Sequence, residues 1–208
     1  MTILRPEALP VLAHQRPTYL NLAVSKASVA FGVEIHEYCA QMRKYYPKPN
    51  GQPRTFLDIG CGIGFGLLVL RNLYGPNNRF FGIDRSLIDE NIYYGYEEVA
   101  SAYNNLDVTR NTALDNGIEA RNLMLINIDD EDFPRSEQFD IVTSHIAWGF
   151  HFPVGTYLPR VKEATRKGGI VCLDLRKGTG GVSEMSKHFE LRAAFPSTKY
   201  LRTVWERT

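Results

Sequence analysis

The chain has 208 residues, 44% of them hydrophobic and 23% charged, and its 24 Lys and Arg against 23 Asp and Glu leave a formal net charge of +1. That length buries a substantial core without disulfides or a structural metal, and the charge balance supplies no field that would make nucleic acid or an acidic membrane surface an obligatory partner. Cys39, Cys61 and Cys172 form no zinc-binding pattern, the first residues contain no secretory h-region, and no apolar run approaches a membrane span of ~20 residues. A cytoplasmic globular protein is expected, with a homodimer left open.

Residues 1–53 read as an N-terminal unit. Pro6, Pro10 and Pro17 predict a draped, non-helical arm over the first seventeen residues. Between 18 and 46 there is no proline, and Leu20, Val24, Ala27, Phe31, Ile35, Tyr38 and Met42 recur at three- and four-residue steps, which predicts a helical cap. The run PKPNGQP at 47–53 then serves as a linker.

From residue 54 to 208 the pattern becomes that of a single compact α/β unit. Strand-like runs are TFLDI, RFFGID, NLMLINI, FDIVTSH and GIVCLDL, with helical stretches at 64–73, 106–116 and 157–166. Apolar runs that barely alternate belong to parallel strands covered on both faces, and the strand–helix alternation predicts a doubly wound sheet. In the tail, HFELRAAF and KYLRTVWE flank PST and read as an antiparallel pair at the sheet edge.

The chemistry concentrates where the first strand meets its helix, at Asp58-Ile59-Gly60-Cys61-Gly62-Ile63-Gly64. Glycines let the backbone turn sharply and let a ligand lie against bare main chain. The dinucleotide fingerprint fails, because its last glycine would fall on Phe65 or Leu67; the phosphate loop fails as well, and no lysine sits in the turn. Asp58 would repel a pyrophosphate but suits a ligand carrying an ammonium and a sulfonium. The second strand ends in Asp84, placed to accept hydrogen bonds from both hydroxyls of a ribose. After the third strand come Asp129 and Asp130, and Lys167-Gly168-Gly169 precedes the fifth.

In this order the D-x-G-x-G turn, the acid ending strand two, the acidic pair, the FDIV strand and the K-G-G turn resemble the class I S-adenosylmethionine-dependent methyltransferases, over residues 54–208. The resemblance implies a Rossmann-like, doubly wound seven-stranded α/β sheet with the last strand antiparallel, plus the N-terminal helical cap. It implies S-adenosylmethionine as cofactor, S-adenosylhomocysteine as product, and no metal. Gly60, Gly62 and Gly64 would line the methionine part and Asp58 would hold its amino group. Asp84, with Arg85 beside it, would bind the ribose; Asp129 with the Asp130 backbone would read the adenine; Ser144 would complete the cofactor site.

Two departures bear on the acceptor. Roughly twenty residues follow Asp84 where ~2–6 are usual, and their Tyr93, Tyr94, Tyr96 and Tyr103 suit either a wall over an organic substrate or a satellite core. After strand four, Ser144 to Pro153 reads SHIAWGFHFP, similar to bacterial methyltransferases that include some assigned to sugars. His145 and His151 are the candidate general bases, because histidine titrates near neutrality, and the plain alternative for each is a structural histidine. Trp148 is expected to line the substrate site, and Asp174 is a candidate to orient an amine acceptor. Asp84, Asp129 and Asp130 could equally be caps or loop acids, and Cys61, with no adjacent base, reads as a packed thiol.

The expected activity is methyl transfer to a small polar molecule, at oxygen before nitrogen. Its rivals are protein or nucleic-acid methylation, aminopropyl transfer from the decarboxylated cofactor, and a cofactor-binding module without catalysis.

Overall fold

The computed structural model describes residues 2–134 and 136–208. Its centre is one seven-stranded sheet ordered β3-β2-β1-β4-β5-β7-β6, built from β1 (Thr55–Ile59), β2 (Arg79–Asp84), β3 (Leu123–Asn127), β4 (Phe139–Ser144), β5 (Thr165–Arg176), β6 (Glu190–Pro196) and β7 (Tyr200–Glu206). The first five strands run parallel, and β7 pairs antiparallel with both β5 and β6. The tail forms the expected antiparallel pair, with β6 rather than β7 at the edge.

Successive residues of each strand feed opposite faces, which is why the central strands β1, β4 and β5 are buried on both sides, while the edge strand β6 stays largely exposed. Phe56, Phe80, Ile141, Cys172 and Val204 join one core cluster, under α1 (Ala8–Gln15), α2 (Val24–Met42), α3 (Phe65–Tyr74) and α4 (Leu106–Asp115). Leu57, Phe81, Val142, Val171 and Trp205 join the other, beneath α5 (Leu158–Ala164) and α6 (Gly181–Met185). In α2, Ala27, Phe31, Ile35, Tyr38 and Met42 make the buried stripe that the sequence spacing predicts.

The N-terminal arm is a correction. Residues 8–15 form α1, which buries Ala8, Val11 and Leu12. Pro10 falls in the first turn, where backbone N–H groups have no partner within the helix, so the proline costs little there. The K-G-G turn is also more than a turn. Register against β4 jumps from Phe139↔Thr165 to Ile141↔Ile170, so residues 166–169 bulge within one long strand, with Gly168 at φ +73°. No helix among the described residues is long and apolar enough to cross a membrane.

Candidate active site

Strand order reverses between β1 and β4, and the crevice beyond the carboxyl ends of strands at such a point is where open α/β sheets take ligands. A cavity of about 840 Å³ lies there, within the range of small-molecule sites. It is lined by the glycine turn, the ends of β1 and β2, part of the segment after β2, the loop that follows β4, and side chains of α1, α2 and β7.

The turn is drawn tight from several directions. The N–H groups of Gly60 and Cys61 both donate to the Ile83 carbonyl, at 2.8 and 3.1 Å. Gly60, at φ +65°, has no room for a side chain: a Cβ there would lie 2.3 Å from that of Ala147. Gly66 likewise faces the Asp58 carboxylate, at 2.5 Å from where its Cβ would be. Asp58 is 2% exposed. It accepts from Thr143 Oγ1 at 2.7 Å and from the Gly66 and Leu67 N–H groups. Burial pushes its carboxyl up to about 7, against those hydrogen bonds and with help from Asp84.

Asp84 accepts from the Gly62 N–H at 2.7 Å, the Arg85 N–H at 2.8 Å and Asn104 Nδ2 at 3.1 Å. Its burial raises the carboxyl to about 6, despite those bonds. Asn104 was not foreseen. It stands just before α4, donates also to the Gly62 carbonyl at 3.0 Å, and is left with a buried Oδ1 that has no partner. Asp84 and Asn104 thus present neighbouring acceptors at the cavity wall, suited to the two hydroxyls of a ribose.

Unpartnered buried polar atoms are rare in native folds and call for an explanation. Seven are found among the described side chains, and four of them line this one cavity: Gln15 Nε2, Asn104 Oδ1 and both ring nitrogens of His145. The site is therefore fitted to a polar ligand. Gln15 was missed because it lies in the stretch read as an arm.

His145 follows β4 directly. Its ring meets Tyr38 of α2 and Phe65 of α3 edge-on, with centroids at 4.8 and 5.5 Å. Burial, reinforced by Arg202 and Arg16, holds its pKa well below the ordinary histidine value, so the ring is neutral near pH 7 and does not titrate there, contrary to the sequence argument. His151 Nδ1 donates to the Gly95 carbonyl at 2.9 Å, since a carbonyl can only accept. Its own carbonyl accepts from the Glu97 N–H at 2.9 Å. His151 lines the cavity but is also a clamp joining the β4 loop to the segment after β2, and burial lowers its pKa too.

Between the histidines the chain turns sharply. Ile146 sits at φ +50°, a strained conformation for a β-branched residue, and is 37% exposed at the cavity. This turn places the neighbouring side chains otherwise than expected. Ser144 is fully buried; its Oγ donates to the Ile59 carbonyl at 2.8 Å and accepts from the Trp148 N–H at 2.9 Å, so it braces the loop and does not line the cavity. Trp148 is also fully buried, with Nε1 donating to the Val154 carbonyl at 2.8 Å, and packs into the core under the sheet.

Tyr93, Tyr94 and Tyr96 stay off the cavity, and Tyr103 alone of the four tyrosines lines it. The segment runs over the surface, leaving Tyr93 and Tyr94 exposed, and re-enters at the Ile88↔Tyr103 bridge. Arg85 and Asp129 line the cavity and pair at 2.9 Å. Asp130 does not: its carboxylate accepts from Asn127 Nδ2 and its N–H donates to the Asn127 carbonyl. Gly64, at φ +94°, caps α3 behind the wall formed by Gly60 and Gly62. Asp174 is fully buried, gripped by Arg202 at 2.7 and 2.9 Å. Cys61 is buried, and its thiol is pushed far up by burial, as befits packing. No group of three or more His, Cys, Asp or Glu placed to hold a metal ion occurs among the described residues.

No family model matches the chain, and no curated protein matches it. Solved structures do. The ribosomal protein L11 methylase from Lactobacillus delbrueckii subsp. bulgaricus is similar at a TM-score of 0.54 and 15% identity, over 76% of this chain and 72% of that one. The fold is that of the class I methyltransferases. TrmN from Thermus thermophilus is similar at 0.54 and 20% identity, over 81% of this chain but only 47% of its own. Precorrin-6y C5,15-methyltransferase from Geobacter metallireducens is similar at 0.51 and 16% identity, over 84% and 88%. The methyltransferase fold thus carries acceptors of different kinds, and what this chain methylates has to be argued from its own cavity.

Proposed function

We propose that the chain is an S-adenosylmethionine-dependent methyltransferase acting on a small polar organic molecule, at oxygen in preference to nitrogen. The observation that carries the reading is the pair of acceptors, Asp84 and the unpartnered Asn104 Oδ1, set against a glycine turn at the sheet's switch point. S-adenosylmethionine supplies a methyl group on a sulfonium sulfur. Asp84 and Asn104 bind its ribose, Asp129 with Arg85 borders the adenine side, and Asp58 faces its ammonium.

At the acceptor end, His145 takes the hydroxyl proton on a ring nitrogen that has no partner. A neutral imidazole is the form that can do so; the burial and nearby arginines that keep it neutral also make it a weaker base than a free histidine, and Tyr38 and Phe65 hold its ring in place. The remaining work is positioning, which supplies several kcal/mol of such a barrier. Phosphodiester recognition finds little support, because the cations bordering this end are already paired: Arg16 with Glu34 and Arg202 with Asp174.

The test is incubation with methyl-labelled S-adenosylmethionine and a cell extract divided into small molecules, RNA and protein. Label is expected in the small-molecule fraction. Label confined to RNA or to protein would overturn the acceptor class while leaving the cofactor reading intact.

A further inference from the structure

Most backbone donors of the glycine turn are already spent. Gly60 and Cys61 donate to Ile83, Gly62 to Asp84, Gly64 to the Cys61 carbonyl, and Gly66 and Leu67 to Asp58. An anion arriving from the cavity finds little there to bind it. Gln15, the last residue of α1, supplies what the turn lacks. Its tip lies so close over Gly62 that a Cβ on that glycine would be 2.6 Å from Oε1. The Ile63 N–H is a donor, so the Gln15 oxygen must face it, at 3.4 Å. Nε2, the other end of the same amide and 2.8 Å from that Cβ position, is buried and without a partner, and Gln15 lines the cavity wall.

Two N–H donors in that position cannot pair with an ammonium, which is itself only a donor; they call for an acceptor, and a carboxylate is acceptor-only. The next residue fixes the helix end that carries them: Arg16 stacks over Phe65 at 4.5 Å and pairs with Glu34. Resting on the methyltransferase reading, we propose that Gln15 binds the α-carboxylate of S-adenosylmethionine and so selects the intact cofactor over its decarboxylated form. With the decarboxylated form, Nε2 stays buried and unpaired, and a site built to hydrogen-bond a group discriminates against ligands lacking it. The N-terminal helix is then a specificity element that commits the fold to methyl rather than aminopropyl transfer.

The experiment is calorimetric titration of the full chain with S-adenosylhomocysteine and with decarboxylated S-adenosylhomocysteine, which keeps the ammonium and loses only the carboxylate. Wild type is expected to favour the first by about tenfold or more. Gln15→Glu, which keeps the shape and the acceptor for Ile63, should weaken S-adenosylhomocysteine by on the order of ten- to a hundredfold and leave the decarboxylated ligand unweakened. Equal affinity of wild type for the two ligands overturns the assignment without any variant having to fold. So does an equal loss of both ligands in Gln15→Glu. If folded wild type binds neither ligand, the methyltransferase reading falls together with this assignment; equal binding of both overturns the assignment alone.

Discussion

Replacing Asp84 by Asn separates a ligand-binding carboxylate from a helix-capping one. Oδ2 faces two donors, Gly62 N–H and Asn104 Nδ2, whereas Oδ1 faces only the Arg85 N–H. The new amide nitrogen therefore takes the Oδ1 side, where it confronts one donor and the turn keeps its shape. Ribose hydroxyls lose a charged acceptor and meet a neutral one, a difference of about 1–3 kcal/mol, or roughly five- to a hundredfold in affinity. Folding should move the other way. A carboxyl raised to about 6 in the folded chain, against an ordinary value of 3.8, binds its proton more tightly folded than unfolded. Asp84 therefore costs wild type stability as pH rises from about 4 through 6, a contribution that Asn at this position removes. Calorimetry with S-adenosylhomocysteine at pH 7.5, with thermal unfolding at pH 4.5 and 7.5, reads both effects. The unliganded variant should gain on wild type between the two pH values while binding more weakly. Unchanged affinity in a folded variant would refute the reasoning and leave Asp84 as a cap.

Asp58, raised to about 7, should ionise when a ligand ammonium arrives, so S-adenosylhomocysteine should release a proton near pH 7 and none above pH 9; buffers of differing ionisation enthalpy measure this, and equal release at both would exclude Asp58. For Gly60→Ala, left-handed backbone and the overlap with Ala147 predict a loss of about 2 kcal/mol or more in chemical unfolding; a loss under half of that would mean the loop yields. His145→Asn should lower turnover by ~10²–10⁴-fold on the labelled acceptor fraction with cofactor affinity unmoved. Because burial keeps His145 neutral, wild-type turnover should show no acid limb from this residue between pH 6 and 8.

The parts legible in the sequence are those that depend on short-range repetition. β1 and β2 read as strands because TFLDI and RFFGID carry apolar residues on both faces, and they do so because each faces two helical layers. Asp58, Gly60, Gly62 and Asp84, singled out by the sequence, border one cavity because they lie at the ends of two adjacent strands and the turn between strand and helix. Illegible were contacts made by chain reversal. Nothing near Asn104 in sequence marks it as a neighbour of Gly62, forty-two residues away. Gln15 was hidden by prolines that would break a helix interior but are tolerated in a first turn. Ser144 and Trp148 were misplaced because the direction of a side chain past a strand end depends on the turn that follows, here set by the left-handed Ile146.

On the proposed reading, the cavity above β1 and β4 holds S-adenosylmethionine rather than a dinucleotide. Titrating the unmodified chain calorimetrically with S-adenosylhomocysteine, and in parallel with NAD, tests it most directly. Saturable, one-to-one heat is expected with the sulfur nucleoside, together with a matching rise in unfolding temperature worth ~2.7 kcal/mol at a hundredfold excess over the dissociation constant, and neither with NAD. Heat with NAD, or a folded protein that takes up neither S-adenosylhomocysteine nor S-adenosylmethionine, would contradict it.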